Sequence, residues 1–125
     1  MKKTLFILFL LIVAFSPSNI FADDSIAAGK VVYDGAGACF SCHGALGKGD
    51  GAAAAALNPK PRDLSEGRFS LDTDGDGKAG TEVDLLNVVT NGAQKYGGSM
   101  FMVGRPDLSE ADRKALVKYV LSLKK

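Results

Sequence analysis

Apolar residues recur at helical spacing in separate stretches of this chain, and no stretch alternates apolar and polar positions as a strand would. Ile26, Gly29, Val32 and Tyr33 share one stripe, which predicts a short helix over 26–34 with Asp24 or Ser25 as its N-cap. Gly35 and Gly37 end it. A second helix is predicted over 81–90. Thr81 with Asp84 three positions on makes a capping box, and the apolar face is Val83, Leu86 and Val89 or Leu85, Val88 and Val89. Asn91-Gly92 supplies a left-handed stop. The last helix opens at Ser109, with Asp112 completing a second capping box. Its buried stripe is Ala115, Leu116, Tyr119, Val120 and Leu123, and Arg113, Lys114, Lys118, Lys124 and Lys125 face water. Residues 44–70 form mostly loop: the alanines of 52–56 allow a brief helical turn, but Pro59 and Pro61 forbid a regular ladder after it. The prediction is an all-α domain with long loops.

The N-terminal pattern is of another kind. Lys2 and Lys3 precede an unbroken apolar run from Leu5 to Phe15, and small residues lead to Ala22 before Asp23 and Asp24. That order is a secretory signal peptide over residues 1–22, with cleavage expected after Ala22, and the run is shorter than the roughly 20 residues that span a bilayer. No cysteine stands at the cut, so neither a lipid anchor nor stable membrane insertion is expected.

Residues 23–125 then form one small domain. Phe6, Phe9, Phe15 and Phe21 leave with the leader, and Ile26 is the one isoleucine retained. What remains is rich in Gly and Ala and poor in large apolar side chains, so a domain of this size needs a staple, a metal or a cofactor to fill its core. The formal charge of +1 turns slightly negative without Lys2 and Lys3. The basic residues are scattered rather than gathered into a stripe, which excludes nucleic acid as a partner.

The composition gives weight to Cys39-Phe40-Ser41-Cys42-His43, which contains the only two cysteines and the only histidine of the chain. A zinc site needs further Cys or His ligands, and there are none. A thioredoxin-like dithiol needs a mixed sheet around it. A plain disulfide across two residues closes so small a loop that it stabilises little. Cys-x-x-Cys-His is instead the attachment pattern of a c-type haem, with thioethers from Cys39 and Cys42 and the imidazole of His43 reaching the iron. A sixth ligand decides whether the iron face is closed. Met100 and Met102, the two methionines left after leader removal, both lie in the irregular loop 96–104, and methionine sulfur favours reduced iron.

Asp72, Asp74 and Asp76 with Gly77 match the opening of a calcium loop at positions 1, 3, 5 and 6. Position 12, which should carry a bidentate Glu, is Val83. A solvated Asp-Gly turn is expected there, and calcium is not.

In their order along the chain, these features resemble a monohaem class I c-type cytochrome over nearly the whole of residues 23–125. The resemblance is carried by a first helix with Gly29 and Tyr33, the motif Cys39 to Gly44, a proline-containing loop, a middle helix, a methionine loop, and a last helix with Tyr119 and Val120. It implies that the first and last helices cross closely at Gly29, beside Tyr119. It implies that a backbone carbonyl of the proline loop, that of Pro59, accepts the second ring N–H of His43 and raises its donor strength. Aligned on Met-x-x-x-Gly, Met100 is the distal ligand; aligned on Gly-Gly-Ser and the distance to Pro106 and Leu108, Met102 is. The second alignment is preferred. Arg62, Arg68, Lys95 and Tyr96 are equally read as propionate partners and as ordinary surface residues. The resemblance implies a periplasmic electron carrier rather than an enzyme, a monomer that meets redox partner proteins transiently at its exposed haem edge. A displaceable methionine would make it a haem-based sensor or a catalytic haem protein, and the remaining reading is a cytochrome subunit fixed in a redox enzyme complex.

Overall fold

A computed structural model describes residues 20–125, with side chains from Asp24 onward. Most of the leader expected over residues 1–22 therefore lies outside the described residues. The elements in chain order are α1 (Ile20–Asp34), α2 (Phe40–His43), α3 (Glu82–Asn91) and α4 (Glu110–Ser122), with 3-10 turns at Ala54–Ala56, Leu64–Glu66 and Gln94–Tyr96. No strand occurs among the described residues, as the missing alternation predicted.

Helix α1 extends to Ile20 instead of starting at Ile26, so Asp24 and Ser25 lie inside the helix and not at its cap. Such residues cost only about half a kcal/mol within a helix, too little to stop one. The capping box at the start of α3 is complete: Thr81 Oγ1 accepts from Asp84 N, and Asp84 Oδ2 accepts from Thr81 N at 2.8 Å. At α4 the forward bond from Asp112 N to Ser109 Oγ is formed, at 3.0 Å, but Asp112 does not return a bond to Ser109 N, so the second capping box is half made.

Helix α4 is the centre of the domain because both α1 and α3 pack on it. The buried cluster joins Val32 and Tyr33 of α1, Leu85 of α3, and Leu116, Val117, Tyr119 and Val120 of α4, with Leu64 and Leu108 from the loops. Tyr33 and Tyr119 meet edge to face with ring centroids 5.2 Å apart. Val117 is fully buried although a single stripe leaves it out. A helix covered by two others and a cavity needs a wider apolar face than a helix on one partner. On α3 the inward residues are Leu85, Leu86 and Val89, while Val83 is 51% exposed, so the buried face draws on both predicted sets and leaves out Val83. Arg113 also departs from its expected place in water: its guanidinium donates to the carbonyls of Leu108 at 2.7 Å and Pro106 at 3.2 Å, fixing the approach to α4.

Candidate functional site

The motif Cys39 to His43 coils into a single helical turn. His43 N donates to Cys39 O at 2.9 Å and Gly44 N to Phe40 O at 2.9 Å. Residues three and four apart on a helix share a face, so this turn brings Cys39, Cys42 and His43 to one side. The turn is held from behind: Cys39 N donates to Tyr33 O at 3.0 Å, and the buried Tyr33 hydroxyl donates to Gly44 O at 2.7 Å.

Cys39, Cys42 and His43 line a cavity of about 940 Å³ together with Met102. Its walls include Leu57, Phe69, Leu71, Leu85, Val88 and Val117. Both cysteines are free thiols. Burial pushes the Cys39 thiol up, and the nearby Arg105 guanidinium works in the opposite direction. Burial likewise lowers the His43 pKa, which disfavours the charged ring, against the opposing bond to the Arg62 carbonyl.

That bond corrects the sequence reading. His43 Nδ1 lies 3.0 Å from the carbonyl oxygen of Arg62, not from that of Pro59. Leu64 N donates to Gly47 O at 2.6 Å and Gly49 N to His43 O at 2.8 Å, so the chain around Arg62 lies directly against the turn that follows His43. Pro59 still lines the cavity, in an exposed stretch. With Nδ1–H donating to Arg62, Nε2 keeps the lone pair that a metal needs.

The two methionines differ sharply in surroundings. Met102 lines the cavity, its N–H donating to Ser99 O at 3.2 Å and its carbonyl accepting from Ala93 N at 3.0 Å. Met100 is 63% exposed and lies outside the lining. Of the residues weighed as propionate partners, Arg62 lines the cavity and donates to Arg68 O at 2.9 Å and Ser70 Oγ at 3.0 Å. Arg68 pairs with Glu66 at 3.2 Å, and Lys95 sits 5.8 Å from the centre of the Tyr96 ring; neither arginine-like role nor cavity contact falls to Lys95 or Tyr96.

The sequence model of the cytochrome c family matches residues 26–124. The chain belongs to the cytochrome c family. Its fold is the all-α class I cytochrome c fold, and membership implies covalent haem c, electron transfer and redox partners. The cavity suits that cofactor: two free thiols and an imidazole with one engaged nitrogen share one wall region, the remainder is largely apolar, and the volume falls within the about 300–1,000 Å³ of small-molecule sites. Among solved structures, this cytochrome is similar to a chain of the reducing HAO-like protein complex of Kuenenia stuttgartiensis, with 28% identity and a TM-score of 0.66. The match covers 89% of this chain and 47% of that one, so the cytochrome spans about half the length of its neighbour. No curated protein sequence matches it.

Among the described residues, Asp72, Asp74 and Asp84 bring carboxylate oxygens within 4.8 Å of one another. Each carboxylate already accepts hydrogen bonds from the chain, Asp74 Oδ1 from Asp76 N at 3.2 Å. Asp84 accepts from the N–H and hydroxyl groups of both Thr73 and Thr81, and Asp72 accepts from Gly75 N and Gly77 N. No described helix is long and apolar enough to cross a membrane.

Proposed function

We propose that this cytochrome is an exported, periplasmic carrier of single electrons and not an enzyme. Cys39 and Cys42 would hold one haem through thioethers, and His43 and Met102 would be the side chains that hold its iron. The observation that carries the reading is that all four residues line one cavity. When bound, the haem supplies an iron that cycles between two oxidation states. The protein's part is to hold the two ligands: Arg62 O orients the imidazole, and the bonds of Met102 to Ser99 and Ala93 fix its backbone. With its sulfur on the iron, Met102 would deny that position to a substrate, which would separate a carrier from a sensor or a catalytic haem protein. Removal of residues 1–22 belongs to the same proposal.

Partners would dock weakly at the rim around Cys39 and Cys42, where Phe40 between them is 44% exposed. Visible spectra of the purified protein, oxidised and reduced, followed by exposure of the reduced form to carbon monoxide, test the proposal. A carrier shows a low-spin c-type spectrum that carbon monoxide barely alters. A complete shift at low carbon monoxide would replace it with the sensor or catalytic reading. The second reading, a subunit fixed in a redox enzyme complex, is favoured by the similarity to a chain of such a complex. Size-exclusion chromatography of native extracts separates the two: a free carrier elutes as a small monomer, a fixed subunit with a larger assembly.

A further inference from the structure

The loop that bears Met102 is fastened along both sides. On the α3 side, Met102 O accepts from Ala93 N, Gly104 packs against Asn91 and Gly92, and Arg105 N donates to Val89 O at 2.7 Å. On the other side a single side chain spans the gap to the segment that leads into Cys39. Arg105 Nη1 donates to Gly37 O and Nη2 to Ala36 O, both at 2.7 Å, across 68 and 69 residues of sequence. The guanidinium is held in that pose by Asp107, which accepts from Nε at 2.9 Å and Nη2 at 2.7 Å. The four guanidinium bonds are charge-assisted, and Arg105 itself lines the cavity with Cys39.

We propose that Arg105 is a positioning residue that latches the Met102 loop to the haem-attachment segment and so resists displacement of the methionine from the iron. The inference rests on the Met102 reading. Helix α3 anchors the loop at one edge only. Without the bonds to Ala36 and Gly37, the loop can swing on its Ala93 and Val89 attachments and open the distal face. A lysine in place of Arg105 keeps the charge but loses the planar fork that meets two carbonyls and a carboxylate together.

The test uses the full haem-loaded protein, with Arg105→Gln, Arg105→Lys and Asp107→Asn compared with wild type. Two quantities are read: the near-infrared sulfur-to-iron band of the oxidised form and the carbon monoxide affinity of the reduced form. Arg105→Gln should weaken the band and tighten carbon monoxide binding by about tenfold, the factor carried by one such bond. Arg105→Lys and Asp107→Asn should fall between it and wild type. Leu121→Ala, which trims a side chain packed on the core and outside the cavity, should lower thermal stability and leave carbon monoxide affinity unchanged. If wild type has no sulfur-to-iron band, the Met102 reading falls and the latch with it. If wild type has the band and Arg105→Gln binds carbon monoxide as weakly as wild type, the latch alone is overturned. Should Arg105→Gln not accumulate, the same comparison on Arg105→Lys decides, and affinity equal to wild type overturns the latch.

Discussion

Gly29 of α1 and Ala115 of α4 meet backbone to backbone: a Cβ added at Gly29 would lie 2.6 Å from the Ala115 carbonyl carbon and 2.7 Å from Tyr119 Cβ. Only glycine allows the helices to approach so closely. Gly29→Ala gains up to about 1 kcal/mol of helix propensity, but overpacking costs about 1–3 kcal/mol, and here the colliding group is backbone that no rotamer change can move. The clash wins. A thermal melt should show a Tm lower by several degrees, since about 4–8 °C accompanies each kcal/mol in a domain of this size. A Tm equal to or above wild type would mean that the two helices sit further apart.

Tyr33 carries a hydroxyl that looks superfluous in an apolar core. Burial pushes its phenol pKa well up, so it remains a donor, and its bond to Gly44 O satisfies a carbonyl directly after His43. Tyr33→Phe keeps the ring contact with Tyr119 and leaves that carbonyl unpaired, at a cost of about 1–3 kcal/mol. Chemical denaturation of the loaded protein should register this loss while the visible spectrum stays that of wild type. An unchanged midpoint would show that the bond contributes nothing net.

The parts of the fold that sequence exposed are those governed by local rules. Thr81 and Asp84 mark a helix start because each bonds the other's backbone, and a Cys-x-x-Cys-His run places its three functional groups on one turn. Contacts set by how loops fold over one another left no such mark. Nothing near Arg62 signals that its carbonyl, rather than that of Pro59, meets His43; the choice follows from the pairing of Leu64 with Gly47. Leu64 entered the core from a stretch read as loop, and Val117 from a helix whose burial on several sides exceeds one stripe. Arg105 shows only a nearby Asp107 in sequence, whereas its other partners stand 68 and 69 residues upstream.

Asp84 predicts a pH dependence. It is 1% exposed, and bonds from Thr73 and Thr81 hold its carboxyl far below the ordinary carboxylate range. A depressed folded value means that the stabilisation is fully present above the unfolded aspartate value, about 3.9, and is lost as pH falls below it through the folded value. Asp84→Asn should therefore be much less stable than wild type near neutrality, and the gap should narrow in strong acid. Denaturant midpoints measured down the acid limb would show it, and a constant gap would contradict it. Because each Asp84 oxygen already accepts two bonds, calcium should leave the Tm of wild type unmoved, whereas a rise on addition would assign the Asp72–Asp76 turn a metal.

Met102 and Met100 offer the sharpest discrimination, because they stand two residues apart with opposite surroundings. Met102 lines the cavity and its backbone is tied at both N–H and carbonyl; Met100 is mostly in solvent. For Met100 to serve as the ligand, its exposed side chain would have to enter the cavity, whose lining it does not share. Met102→Leu should abolish the near-infrared sulfur-to-iron band, lower the reduction potential by removing a ligand that favours reduced iron, and let carbon monoxide bind. Met100→Leu should change none of these, since an exposed side chain contributes little to packing. Loss of the band in Met100→Leu alone would transfer the ligand to Met100, and its persistence in both variants would remove methionine from the iron altogether.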